Sequence, residues 1–189
     1  FMIAGEVCTR GCRFCAVGTI RKPPMLDPNE PKELADAIEN MEISHAVITV
    51  VNRDDLPDGG AEHYKKCLLE VNQRTPHVGL ELLCSDLEGN LTALEKLLYK
   101  LPIKVFAHNV ECVPRLDSVV RDPRASFDQS IKIVNKIIDD DVNNLINKQL
   151  ICNYSTPGKL LQLISYGNEF KIDLKNINLK ELISQIIHD

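Results

Sequence analysis

The sequence predicts an α/β protein built from about four parallel βα units and followed by a mostly helical C-terminal tail. Three observations predict it. Over the first 140 residues, apolar runs of strand length alternate with segments whose apolar residues recur at helical spacing, the order of strand, crossover helix and parallel strand. Helix-start signals stand before several of the helical segments. Polar residues collect just past the carboxyl end of each strand-like run, where parallel architectures place their sites.

The elements follow in order. Residues 1–7 form an apolar run read as strand one. Asp27, with Pro28 next and Glu30 three positions on, reads as a capping-box start for a helix whose apolar stripe is Leu34, Ile38 and Met41. Residues 46–51 are nearly all apolar, as expected of a strand covered on both faces. After Gly59 and Gly60 a second helix places Tyr64, Cys67, Leu68 and Val71 on one side. Residues 78–84 are strand three, and Asn90 is placed to cap a third helix through Leu91, Leu94 and Leu98. Residues 103–107 are strand four, and Ser126 with Gln129 opens a fourth helix through Ile131, Val134 and Ile138. From Asp140 the composition shifts toward Asn, Ile and Lys, with a break at Pro157-Gly158 and a short amphipathic helix through Leu179, Leu182, Ile183 and Ile186, capped by Asn178. This divides the chain into a first region over 1–139 and a divergent tail over 140–189.

Composition excludes several classes of function. A chain of 189 residues with 44% apolar content can bury one sizeable core. A net charge of −5 argues against a nucleic-acid binder, which would show a basic surplus or stripe. No apolar run approaches the ~18 residues that span a bilayer, and no charged-then-apolar leader opens the chain, so a soluble protein is expected. Seven cysteines, three of them crowded onto one loop, suit a reducing compartment and metal binding better than a disulfide framework. The chain begins with Phe1 inside an apolar run, so a natural start is expected upstream.

The strongest chemical signal is the C-x3-C-x2-C string of Cys8, Cys12 and Cys15 just past strand one. Three thiolates can hold a cubane iron-sulfur cluster and leave one iron open to a small molecule, whereas structural zinc and electron-carrying clusters want four protein ligands. The next cysteine, Cys67, falls on a helix, so nothing local completes a four-thiolate cage. Half of a zinc site, or simply reactive thiols, are the alternatives. Arg10, Arg13, Arg21 and Lys22 make this loop basic within an acidic chain, suited to a reduced anionic cluster, a ligand carboxylate or an acidic partner, or else solvated loop charges. Past the other strands stand Asn52, Arg53, Asp54 and Asp55, then Ser85 and Asp86, then His108, Asn109 and Glu111. His45 and His63 read as surface histidines without a neighbour at ligand spacing, and Cys67, Cys84, Cys112 and Cys152 as small buried hydrophobes.

The segment from Glu6 to Cys15, with Phe14 before its third cysteine, resembles the cluster loop of radical S-adenosylmethionine (SAM) enzymes. Three further strings sharpen the likeness: Val51-Asn52-Arg53-Asp54-Asp55-Leu56-Pro57-Asp58-Gly59-Gly60-Ala61-Glu62-His63, then Ala107-His108-Asn109-Val110-Glu111 with Val113-Pro114-Arg115, then Val120 to Ser130. In order and spacing they are similar to the lipoyl synthase family. The resemblance covers residues 1–139 and implies a partial (β/α) barrel of the radical SAM type, about four units of what would normally be six. It implies one 4Fe-4S cluster on Cys8, Cys12 and Cys15, with SAM beside it. Asn109, Glu111 and Arg121 fall in strings that line the SAM side of the family's site, and the Asp54 to Gly60 loop is expected to shape the same pocket. Asp-Gly-Gly before a helix is equally a turn and cap signal.

The family's reaction takes hydrogens from C6 and C8 of an octanoyl chain held on a lipoyl carrier domain and inserts sulfur at both carbons. The partners implied are that octanoylated domain and a reductant such as ferredoxin or flavodoxin, with neither nucleic acid nor membrane. The compartment implied is the cytoplasm in a bacterium and the mitochondrial matrix in a eukaryote. The chain also departs from the family. The C-x4-C-x5-C string and the Arg-Ser-Ser-Tyr string that hold a second, sulfur-donating cluster are not in this sequence, so a second cluster is not supported. Val50 stands where the family usually has serine, Ser85 where it usually has proline, and Ala107 where asparagine is frequent in bacterial members. The rival readings are a radical SAM enzyme with another substrate and a non-catalytic remnant that keeps the fold.

Overall fold

In chain order the elements are β1 (Met2–Ile3), β2 (Val7–Cys8), β3 (Gly18–Thr19), α1 (Glu30–Asn40), β4 (His45–Val50), α2 (Ala61–Arg74), β5 (Gly79–Cys84), α3 (Leu91–Leu98), β6 (Val105–His108), α4 (Asp117–Val120) and α5 (Phe127–Ile138). This computed structural model describes residues 1–138. The expected tail over 140–189, with its helix and Cys152, lies outside the described residues. The parallel α/β architecture is present: β1, β4, β5 and β6 pair in that order, every pair parallel, with Ile48 opposite Leu82 and Leu82 opposite Phe106.

The helices bury their apolar stripes against one face of this sheet. Leu34 and Ile38 of α1, Tyr64, Leu68 and Val71 of α2, and Leu94 and Leu97 of α3 meet Ile3, Ile48, Leu80 and Leu82 in one core. At about 1.5–3 kcal/mol for each large apolar side chain, this burial is the main force holding the sheet beneath the site. Local signals start α2, α3 and α5 as the sequence indicates. Asn90 Oδ1 accepts from Ala93 N at 3.0 Å to cap α3, and Ser126 Oγ accepts from Gln129 N at 3.1 Å to cap α5. Asp58 accepts from Gly60 N and Glu62 N and so starts α2.

Three expectations are corrected. Strand one is broken in two: Ala4 and Gly5 adopt left-handed backbone, with φ of 70° and 97°, so β1 pairs with β4 while β2 pairs with β3. The break is held from outside, because Glu30 accepts from Ala4 N and Gly5 N, and Arg53 Nη1 donates to Ala4 O at 3.0 Å. The second concerns α1, which begins at Glu30 rather than at the Asp27 box. Asp27 turns the chain by accepting from Asn29 N, and the Glu30 side chain serves β1 instead of reaching back to cap. The third is coverage of β4. Among the described residues it is buried on one face only, with Ala46 and Ile48 inside while Val47 stays 40% exposed.

Candidate functional site

The site is built at the carboxyl ends of the sheet strands. Cys8 closes β2 and is buried, Cys12 is half-buried, and Cys15 is exposed, so the three free thiols step outward along one loop. Backbone bonds fix that loop from several sides: Thr9 N to Asn52 O at 3.0 Å, Ile20 N to Cys8 O at 3.0 Å and Arg13 N to Val120 O at 2.8 Å. Two of the sulfurs already receive amide hydrogens, Cys8 from Arg10 N at 3.4 Å and Cys12 from Asp122 N at 3.3 Å. Burial pushes the Cys12 thiol up, and the Asp122 amide opposes it.

Side chains tighten the same loop. Arg10 turns inward, donating Nε and Nη2 to the two oxygens of Asp54 and Nη1 to Asp86 Oδ2 at 2.6 Å. Desolvation works against the guanidinium charge, and the two carboxylates outweigh it, so Arg10 is held more firmly protonated than usual. Its charge is thereby neutralised within the protein, which corrects the reading of Arg10 as a free cation beside the thiols; Arg13, Arg21 and Lys22 do lie exposed. On the far side, Asp122 accepts from Gly11 N at 2.9 Å and binds Arg124, which also reaches Thr9 O. The Arg124 guanidinium holds the Asp122 carboxyl well below the usual carboxylate range.

Cys8, Cys12 and Cys15 line a cavity of about 280 Å³, and the same wall carries Asn109, Glu111 and Arg121. All six residues singled out in the sequence are therefore brought together. Asn109 and Glu111 stand exposed at the end of β6, while Arg121 is buried, donating Nη1 to Val110 O and to Ser130 Oγ, each at 3.2 Å. The Asp54 to Gly60 loop does not line this cavity, contrary to expectation. Its Asp54 supports Arg10 from behind, and Asp58 to Gly60 turn away into α2. Cys67 and Cys112 are buried as expected, and so is Cys84, which also forms part of the cavity wall.

The sequence reading left several participants unassigned. Asn52, Ser85, Asp86 and His108 also line the cavity, each just past or at the end of a strand. The strand-end rule reaches all four but cannot rank them. Asn52 Oδ1, His108 Nε2 and Arg121 Nε are the buried side-chain polar atoms without a hydrogen-bond partner among the described residues, and all three belong to residues of this wall. Buried polar groups are ordinarily paired, so this concentration marks the wall as shaped for a polar ligand.

Elsewhere, His63 is not the surface residue expected: it is largely buried and hydrogen-bonded to Glu30, with Cys67 one helical turn on. These three form a set whose ligand atoms all lie within 4.8 Å of one another. The Glu30 carboxylate is already committed to His63, Ala4 N and Gly5 N, which explains the group as a hydrogen-bonded tie between α1, α2 and β1. His45 lies exposed beside Glu81. A larger hollow of about 920 Å³ lies over α2 and α3, lined by Lys65, Lys96 and Tyr99 among others, and touches none of the cysteine loop.

Residues 2–154 match the radical SAM superfamily. The chain belongs to the radical SAM superfamily. Its relatives include proteins named lipoyl synthase, mitochondrial, from three organisms. The chain is 50% identical to the Bos taurus protein over 133 residues, 70% of this chain and 36% of that one. It is 48% identical to the Homo sapiens protein over 143 residues, 75% of this chain and 38% of that one. With the Leishmania braziliensis protein the figures are 43% over 150 residues, 79% of this chain and 39% of that one. The chain thus spans little more than a third of the length of these relatives.

Radical SAM membership implies a 4Fe-4S cluster and SAM, and the donor set fits both. Three free thiols on one loop, two of them already supported by N–H donors, leave one corner of a cubane without a protein ligand. The three Sγ atoms do not all lie within 4.8 Å of one another, whereas a single tetrahedral zinc would hold its sulfurs about 3.8 Å apart. The unpartnered atoms belong to residues that line the same cavity as the thiols, and would offer hydrogen-bonding groups to a polar molecule bound there.

Proposed function

We propose that this chain forms the cluster-and-SAM part of a lipoyl-synthase-type enzyme, which inserts sulfur at C6 and C8 of an octanoyl group carried on a lipoyl domain. The observation that carries the reading is the meeting of Cys8, Cys12, Cys15, Asn109, Glu111 and Arg121 in one cavity, in a chain 43–50% identical to lipoyl synthases. In the reading, the three cysteines hold the cluster, and Asn109, Glu111 and Arg121 bind SAM. Arg121 offers its Nε–H to a ligand carboxylate or other acceptor, and Asn109 and Glu111 accept from ligand hydroxyl or amino groups. The cluster and SAM, when bound, supply a low-potential electron and a carbon radical able to take hydrogen from an unactivated chain.

The residues of this chain have narrower tasks: holding the loop rigid, orienting the ligand and keeping water from the reacting atoms. Arg10, Asp54, Asp86, Asp122 and Arg124 serve the first. The sheet belongs in this reading to a partial (β/α) barrel, the compartment is the mitochondrion by analogy with the relatives' names, and the electron comes from a small carrier such as ferredoxin or flavodoxin.

Anaerobic reconstitution tests it. About four irons per chain, lost in Cys12→Ala, with release of 5′-deoxyadenosine from SAM under reduction and hydrogen loss from an octanoyl-lysyl peptide, is the expected result. Reconstituted protein that leaves SAM intact would be a remnant; cleavage without hydrogen loss from the peptide would assign another substrate; zinc in place of iron would overturn the site itself.

A further inference from the structure

The three cysteines lie on one segment that leaves the sheet after β1 and runs on to α1, and both ends of that segment meet at a single side chain, Arg53. The Arg53 side chain is 2% exposed. Its Nη1 donates to Ala4 O at 3.0 Å, at the entry of the segment, and its Nη2 donates to Pro24 O at 3.0 Å, at the exit. The other donors close on Asp55, Nε to Oδ1 and Nη2 to Oδ2, each at 2.8 Å. The Asp55 carboxylate outweighs desolvation and keeps the guanidinium more firmly protonated than usual.

Pairing with Asp55 alone would be a local contact between near neighbours. The two carbonyls are a different matter, because they belong to distant parts of the chain. Ala4 stands in left-handed backbone, with φ of 70°, which an L-residue keeps only when its surroundings hold it. Glu30 accepts from its N–H at 2.9 Å and Arg53 takes its carbonyl, so both polar groups of this residue are fixed from outside the segment. Cys8 follows shortly, at the end of β2. Farther in, Asn52 O accepts from Thr9 N, Asp54 accepts from Arg10, and β2 pairs with β3. Those ties shape the loop, while the tie at its base holds entry and exit together against the residues that follow β4. A loop whose ends are already joined has less freedom to lose when its thiols gather round one cluster.

We propose, resting on the reading that these thiols hold a cluster, that Arg53 is a positioning residue for it: by tying Ala4 to Pro24, the guanidinium closes the base of the cysteine segment and keeps Cys8, Cys12 and Cys15 where one cluster needs them. Arg53 is not part of the wall of the thiol cavity and acts through the backbone of the loop.

Hydrogen exchange read by mass spectrometry on the cluster-free full chain tests it, for the wild type, Arg53→Lys and Arg53→Met, with residues 91–98 of α3 as internal reference. The expected result is exchange about tenfold or more faster across residues 5–23 in Arg53→Met with α3 unchanged, and Arg53→Lys between, because lysine keeps the charge without the fork. After anaerobic reconstitution, iron is expected to pass from Arg53→Met to a chelator about tenfold faster than from the wild type. Should Arg53→Met fail to fold, Arg53→Lys carries the same comparison, with a smaller acceleration expected in residues 5–23 alone. Exchange equal to the wild type in residues 5–23, or acceleration as large in α3 as in that segment, overturns the proposal. A wild-type protein that takes up zinc, or no iron at all, overturns the cluster reading and this role with it, whatever the exchange rates, so the two failures are told apart.

Discussion

Arg10 and Asp54 form a two-pronged buried pair, Nε to Oδ2 at 2.8 Å and Nη2 to Oδ1 at 2.9 Å, with side chains 2% and 5% exposed. The pair joins the cysteine loop to the residues that follow β4, and Asp86 adds the residues that follow β5. Three strand ends are thus locked together by one guanidinium. Only a planar fork with several fixed donors can serve both carboxylates at once.

Arg10→Leu would leave Asp54 and Asp86 buried without their cation. The expected cost is about 3–5 kcal/mol in chemical unfolding, together with loss of iron on reconstitution. Arg10→Lys keeps the charge but not the fork, and falls between. An Arg10→Leu protein within about 0.5 kcal/mol of the wild type, far below the ~3–5 kcal/mol expected, would show the pair to be incidental.

Acid should loosen the same loop. Asp122 is held low first by Arg124 and then, against some burial, by the Gly11 and Arg124 amides. A carboxylate with a folded value below its unfolded one contributes stability that is complete above about pH 4 and fades as pH falls through the folded value, because the unfolded chain takes up the proton first. Stability measured from pH 6 downward is expected to hold to about pH 4 and then drop, and Asp122→Asn to be less stable at pH 6 with a shallower drop. Equal acid slopes for the two proteins would remove Asp122 from this role.

Gly60 cannot take a side chain. Its φ is 92°, and an added Cβ would stand 2.7 Å from the Tyr64 ring, whose hydroxyl donates to Gly59 O at 2.7 Å with Val51 O also near, at 3.1 Å. Gly60→Ala therefore combines left-handed backbone strain of about 1 kcal/mol with a clash of about 1–3 kcal/mol at the start of α2. A lowered melting temperature is expected, and Gly60→Ala/Tyr64→Phe is expected to leave most of the loss in place, because the ring carbons stand as close to the added Cβ as the hydroxyl does. An unchanged melting temperature for Gly60→Ala would refute the clash.

Thiol labelling should separate the cysteines in the cluster-free folded protein. Cys15 is exposed, whereas Cys67 is fully buried and its thiol is pushed up to about 12 by burial. Site-resolved mass spectrometry with a thiolate-specific reagent is expected to find Cys15 modified first and Cys67 only on unfolding. Early labelling of Cys67 would contradict its place in the core.

Local features were legible in the sequence because their causes are local. Asn90 and Ser126 cap helices through bonds to amides three residues on, and each needs only its own segment. Strand one departs from its sequence pattern for the opposite reason. Gly5 is the one local sign of the break at Ala4 and Gly5, which is held by a carboxylate 26 positions later and a guanidinium 49 positions later. The burial of His63 is likewise invisible in its own segment, its partner Glu30 lying 33 positions away on another helix.

What the sequence determined by itself is the trio Cys8, Cys12 and Cys15, the alternation of strand and helix, and the line of polar residues past the strands, because spacing and periodicity are properties of the chain alone. The tertiary structure decided which of those polar residues face the thiols and which stand behind them. Arg10 and Asp54 satisfy each other, Arg10 within the cavity wall and Asp54 behind it, while His108, Asn52 and Arg121 each keep one atom unsatisfied in that wall. Whether a polar group serves the fold or a ligand depends on whether burial brings it a partner, and burial exists only once the chain has closed on itself.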